Sequence, residues 1–288
     1  MTKYSACIEW LFEKEAPDFA DRIRAARAAG IYGIEFWDAS SKDLDAIKAA
    51  LDETGLTMVG ILTAPMQQIT NPQTHAAFLQ SVRSSLANAL KLGAQAMIVT
   101  TGDERHDVPR EVQHAAIVKV LKDAADIVKG SGVVLALEPL NDRVDHPGYY
   151  LTSTVEGLDI VDEVDRTEVR LLYDIYHSAM MGEHTEDVLE GRLDRVAHVH
   201  LADTQGRGEP GSGTMDWRAR ASIGSPIMAI TASSDSSTAP PDRRRTVSAS
   251  CGDRSMDGNS PVLSFSILDQ SAAPHIQRRS RAKVAPRS

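Results

Sequence analysis

Cysteine is scarce. Cys7 and Cys251 are the only two in 288 residues, which excludes a disulfide framework and offers no zinc-ligand spacing. No apolar run reaches the ~18 residues of a membrane-spanning helix, and no basic-then-apolar leader opens the chain, so we expect no membrane contact and a cytoplasmic location. Basic clusters are missing from the first 220 positions, where 22 Lys and Arg stand against 35 Asp and Glu, or −13 within a whole-chain charge of −9. Phosphate contacts need clustered Lys and Arg, so nucleic acid is excluded as a partner. A Gly-rich phosphate turn after the first apolar run is absent too. Glu9-Trp10-Leu11-Phe12-Glu13 stands in its place, which argues against a doubly wound dinucleotide-binding sheet.

What is present is a regular alternation of apolar runs and amphipathic stretches, repeating every 25 to 35 residues through residue 200, the spacing of βα units. The pattern predicts strands at 5–12, 33–37, 57–62, 96–100, 133–138, 169–174 and 196–202, with helices at 19–29, 42–53, 74–92, 111–129 and 154–164. Seven such units point to an α/β chain of the TIM (β/α)8 type, with the eighth strand missing or replaced. Residues 1–220 form this incomplete barrel.

Three of the runs end in a residue able to hold a cation: Val133-Val134-Leu135-Ala136-Leu137-Glu138, Leu171-Leu172-Tyr173-Asp174 and Val196-Ala197-His198-Val199-His200. A carboxylate or imidazole at the carboxyl end of a parallel strand points into the mouth of the barrel, where active sites are built. His198 and His200 share one strand face. His200, nearer the carboxyl end, is the candidate ligand, and His198 is expected as a hydrogen-bonded core residue. Arg207, in a glycine-rich loop, could clamp a substrate carboxylate; Glu9 and Trp10 could wall the pocket; and His146, in Asp145-His146-Pro147-Gly148, reads as turn chemistry.

The periodicity stops at Ala221. Residues 221–288 contain fifteen serines, no glutamate and a single aromatic, Phe265, a low-complexity composition expected of a disordered tail. A shifted reading frame accounts for it more sharply. Met228 must be ATG, so the codon formed from its last base and the first two of Ala229 encodes glycine; permitted codons elsewhere allow a Gly-Phe-Ile-Gly-Leu-Glu-Tyr strand, the eighth that the barrel lacks. The strand-length run nearest to a substitute in the chain as given is 261–268.

Leu137-Glu138-Pro139-Leu140-Asn141, Tyr173-Asp174-Ile175-Tyr176-His177, His198-Val199-His200-Leu201-Ala202-Asp203 and the segment from Gly206 to Gly213 resemble the xylose-isomerase-like barrel superfamily, and within it the hydroxypyruvate isomerase family, over about residues 4 to 220. The resemblance implies a metal-dependent isomerase acting by enediolate proton transfer, with Mg²⁺ or Mn²⁺ held by Glu138, Asp174 and His200. Glu138 would be catalytic as well, and His177 and Arg207 would bind the substrate, a small hydroxy-oxo acid or sugar. A fourth ligand, the strand-eight glutamate of such enzymes, survives only in the shifted frame. Histidine at 200, where many hydroxypyruvate isomerases carry glutamine, is more typical of ketose 3-epimerases, which sets the alternative substrate class. Abasic-site endonucleases of the same superfamily need a basic groove that this acidic body lacks. A homo-oligomer is left open, and so is a catalytically dead truncated barrel.

Overall fold

The computed structural model describes residues 3–217, 227–231, 245–251 and 263–269. Eight parallel strands close on themselves: β1 (Lys3–Cys7), β2 (Gly33–Phe36), β3 (Thr57–Leu62), β4 (Ala96–Val99), β5 (Val134–Leu137), β6 (Val169–Asp174), β7 (Val196–Leu201) and β8 (Ile227–Ile230). Each of the seven predicted strands is there. The first is displaced, since pairing ends at Cys7 and residues 8–15 form turns instead. The helices follow the predicted spans closely: α1 (Phe19–Ala28), α2 (Leu44–Thr54), α3 (His75–Leu92), α4 (Arg110–Val128) and α5 (Thr154–Val164), then the short α6 (Ile175–Met181) and α7 (Thr185–Leu189). Side-chain caps mark several starts: Asp18, Asp43 and Ser153 each accept a backbone N–H of the first turn, which satisfies donors the helix cannot.

The eighth position, expected missing or replaced, is taken by the four residues of β8, drawn from the segment read as a tail. β8 pairs with β1 from Lys3↔Ile227 to Ala6↔Ile230 and with β7 from Val199↔Met228 to Leu201↔Ile230. The backbone edges of β1 and β7, which a missing eighth strand would leave open, are therefore covered. The 261–268 run does not close the barrel either. Its described part belongs to β10 (Leu263–Asp269), which pairs antiparallel with β9 (Arg245–Cys251) in a separate two-stranded sheet. The remaining positions of 221–288 lie outside the described residues, as do residues 218–220.

Alternation along the strands sorts the core into two populations. Met97, Val99, Leu135, Leu137, Leu171 and Tyr173 face the helices and join the large outer core, whereas Ile98, Ala136 and Leu172 pack about the axis with Leu62 against them. Carried two residues further, the axis face of β5 reaches Glu138 and that of β6 reaches Asp174. Gly33 allows β2 to lie close to β3, because a Cβ there would stand 2.8 Å from the Thr57 carbonyl oxygen.

Candidate active site at the carboxyl end of the barrel

All five residues expected in the site meet at the barrel mouth. His200 Nδ1 lies 3.1 Å from Glu138 Oε1 and 3.7 Å from Asp174 Oδ2. His177 Nε2 is 3.7 Å from the same Asp174 oxygen, and Arg207 Nη2 is 3.4 Å from it. Asp174 divides its oxygens between two tasks. Oδ1 caps α6 by accepting from the backbone N–H of Tyr176 and His177 at 2.8 and 3.1 Å, which leaves Oδ2 turned into the site. Arg143, the cation that follows this strand in sequence, does not neutralise Glu138, since it donates to the Met180 carbonyl at 3.1 Å.

Sequence inspection did not single out Glu35. This carboxylate sits on β2 between Ile34 and Phe36 and is buried. Its Oε2 lies 2.8 Å from His198 Nε2 and its Oε1 3.0 Å from His200 Nε2. His198 is thus the hydrogen-bonded interior residue expected. The signal for Glu35 was available in principle, because an ionisable group inside an otherwise apolar strand is buried only where it is paired.

Burial alone would raise the Glu35 carboxyl, but the neighbouring His200 and His198 outweigh it and hold it well below the usual carboxylate range. Asp174 behaves alike: burial pushes it up, and His177, His200 and Arg207 bring it well down. Burial would strip the proton from His200, yet Glu35, Asp174 and Glu138 hold that ring protonated well above its ordinary value. For His177, burial prevails and keeps the imidazole neutral.

These groups fit a hard divalent cation. Glu138 and Asp174 offer oxygens, and His200 offers Nδ1 once its proton is exchanged for the ion, while Glu35 behind Nε2 favours the matching tautomer. Glu138, Asp174 and His177 also bring ligand atoms within 4.8 Å of one another. Among the described residues five buried side-chain polar atoms lack a hydrogen-bond partner. Three, on Thr63, Arg207 and Thr231, lie at the carboxyl ends of strands or in the loop over them, where a ligand would satisfy them. A fourth, His200 Nε2, faces the Glu35 carboxylate at 3.0 Å in an ion-pair contact rather than the mouth.

Arg207 forms the roof. Its guanidinium lies over the rings of Trp10 and Tyr176, with centroids at 5.4 and 5.0 Å, so Trp10 does wall the site, while Glu9 turns to Lys42 at 2.6 Å. Arg207 has φ +51°, a left-handed conformation that costs a side-chain-bearing residue energy. Asp203 holds this loop in place by accepting from Thr204 N, Gly211 N and Trp217 Nε1 at 2.8, 3.0 and 2.8 Å. His146 belongs to a turn, where its carbonyl accepts from Tyr149 N.

Residues 23–223 match the family described as Xylose isomerase-like TIM barrel. The chain belongs to that family. It is 28% identical to the hydroxypyruvate isomerase of Escherichia coli K12, over 75% of this chain and 86% of that protein. It is 26% identical to the 2-oxo-tetronate isomerase of Cupriavidus necator, over 75% and 85%. The crystal structure of an AP endonuclease, family 2, from Brucella melitensis superimposes with a TM-score of 0.74 at 25% identity, covering 81% of this chain and 93% of that one. The family member described here is an isomerase-type enzyme, and no helix among its described residues is long and apolar enough to cross a membrane.

Proposed function

We propose that this isomerase interconverts hydroxypyruvate and 2-hydroxy-3-oxopropanoate through an enediolate. The observation that carries the reading is the juxtaposition of Arg207 Nη2, 3.4 Å from Asp174, with the Glu138–His200 pair beneath it. A guanidinium beside a base and a set of cation ligands suits a substrate that carries a carboxylate next to the carbons that exchange a proton. When held by Glu138, Asp174 and His200, Mg²⁺ or Mn²⁺ supplies Lewis acidity to the substrate's oxygens. Glu138 takes the C3 proton of hydroxypyruvate, and the C3 hydroxyl gives up its own as the aldehyde forms. C2 and its oxygen each receive one proton, so the atoms balance. Arg207 anchors the carboxylate, and Trp10 and Tyr176 limit water at the face of the guanidinium.

Among the described residues β8 brings no carboxylate to the mouth, since Thr231 follows Ile230. Glu138 therefore serves both carbons in this reading, taking the proton from one and returning it to the other. His200 favours a second substrate class, the ketoses epimerised at C3. The test is turnover by the purified chain with Mg²⁺ or Mn²⁺, offered hydroxypyruvate and, separately, free ketohexoses. Conversion of C3-deuterated hydroxypyruvate is expected, with part of the deuterium carried to C2 of the product, as a single base that takes and returns the proton requires. Turnover confined to ketohexoses would transfer the assignment to the epimerases, and absence of both activities together with absence of cation binding would mark a dead barrel.

A further inference from the structure

The distances alone make His177 a possible fourth ligand, with Glu138 and Asp174 beside it. Its hydrogen bonds say otherwise. The ring nitrogen turned away from the mouth, Nδ1, meets two nitrogens of Asn141: the backbone N at 3.1 Å and the side-chain Nδ2 at 2.7 Å. Both can only donate, so Nδ1 accepts, and a neutral ring must carry its proton on Nε2.

The orientation of the Asn141 amide is fixed independently of the histidine. Its Oδ1 accepts from the backbone N–H of Val144 and Asp145 at 3.0 and 3.2 Å, and its Nδ2 donates to Asp145 Oδ2 at 2.6 Å. Turning the amide over would set an NH₂ against two N–H donors and an oxygen against a carboxylate, which leaves one orientation satisfied. Asp145 is held in turn by the Tyr176 hydroxyl, which donates to the same oxygen at 2.8 Å. Asn141 is fully buried, so water cannot take its place on Nδ1.

We infer that Asn141 is a positioning residue that fixes His177 as the Nε2–H tautomer, making the imidazole a hydrogen-bond donor to a substrate oxygen and excluding it from the cation's ligands. A nitrogen that carries a proton has no lone pair to offer a cation, and moving the proton to Nδ1 would drive it against two N–H groups. Asp174 Oδ2, at 3.7 Å from Nε2, is too far to accept that proton well. The donor is therefore unspent until an oxygen enters the mouth. In the isomerase reading, on which the identity of that oxygen rests, it belongs to the hydroxy-oxo acid and gains negative charge as the adjacent carbon loses its proton. The donor strengthens at that moment.

The test uses the full chain with ¹⁵N-labelled histidine and long-range ¹H–¹⁵N correlation spectra, recorded without metal and with Mg²⁺. His177 is expected to show the neutral Nε2–H pattern in both, assigned by its loss in His177→Ala. In Asn141→Asp, where a carboxylate faces Nδ1, the proton should move to Nδ1 and kcat on hydroxypyruvate should fall at least about tenfold with KM little changed. The Kd for Mn²⁺, measured by calorimetry, should stay within about threefold of wild type in His177→Ala, because a ring that is not a ligand takes no ligand bond away with it. A wild-type ring protonated on Nδ1 or on both nitrogens, or a large Mn²⁺ loss in His177→Ala, would overturn the inference. A protein that fails to convert hydroxypyruvate but shows the Nε2–H ring and unchanged Mn²⁺ affinity would instead refute the substrate assignment.

Discussion

Glu138 and Asp174 stand in the same ring of contacts but should fail differently when changed. Glu138→Gln keeps the shape and removes the group that exchanges the proton, so turnover should fall by at least about 10³-fold, within the range for a general base. Asp174→Asn keeps the cap on α6, because the remaining oxygen still accepts from Tyr176 N and His177 N, and removes charge from the cation's side. Its main effect should be a raised Kd for Mn²⁺, read by calorimetry, with saturating metal restoring most of kcat. Equal losses in both variants at saturating metal would refute this division of labour. A second prediction concerns alkali. Burial, with help from Glu35, pushes the Cys7 thiol up to about 12, and burial pushes the Tyr149 hydroxyl up to about 12 as well. The unfolded chain releases these protons from about pH 9 to 10 and the folded chain retains them to about 12, so the unfolded state binds fewer protons in that window and stability must fall as pH rises through it. Tm measured from pH 8 to 11 should drop progressively, with a shallower fall in Cys7→Ala. Much at this scale was legible: Glu138, Asp174 and His200 announced themselves at the ends of apolar runs. Glu35 and Asn141 did not, because a carboxylate inside a strand and an amide in a turn take their meaning from partners 163 and 36 positions away.

The seven βα units were legible because parallel strands buried on both faces read as unbroken apolar runs, and because capping residues punctuate the helices between them. Only β1 was misplaced, its run extending past Cys7 into a turn that Arg22 fastens by donating to the Ile8 and Glu9 carbonyls at 3.0 and 2.7 Å; no local pattern reveals a buried arginine satisfied by a loop. β8 was not foreseen because Ile227–Ile230 lies within the serine-rich stretch whose composition reads as a tail. Its register makes a prediction about the element. His200 pairs with Ala229, so Ala229 shares the axis face and Thr231, two residues on, does too. Thr231 is buried and its hydroxyl lacks a hydrogen-bond partner. Thr231→Glu should therefore bring a second carboxylate to the mouth, lower the Kd for Mn²⁺ by about tenfold, as an added charged ligand would, and raise turnover of hydroxypyruvate. Unchanged metal affinity in a variant that still melts cooperatively would show that β8 does not aim this position at the cation.

At the scale of the molecule, we propose that residues 221–288 are an out-of-register translation of a segment that encodes a conventional eighth strand. The coding DNA, read one base out of frame after codon 220, should then specify a Gly-Leu-Glu-Tyr-type strand, and a stop codon among the first twenty shifted codons would refute it.

Whatever its origin, the segment now carries the closure of the barrel, and the burden falls unevenly along it. β8 supplies the backbone partners of both β1 and β7, whereas among the described residues β9 and β10 pair only with each other. A chain ended after Thr231 keeps both ladders. One ended after Trp217 exposes two parallel edges, and each buried amide or carbonyl left unpaired costs about 1–3 kcal/mol. Several such groups approach the ~5–15 kcal/mol by which a whole domain is stable. The shorter chain should therefore lose its cooperative thermal transition and its protection of the β1 and β7 amides from hydrogen exchange. The longer one should melt within a few degrees of the full chain. Equal melting of the two truncated chains would mean that β1 and β7 are satisfied without β8, and that the barrel's stability resides wholly in the seven units that precede it.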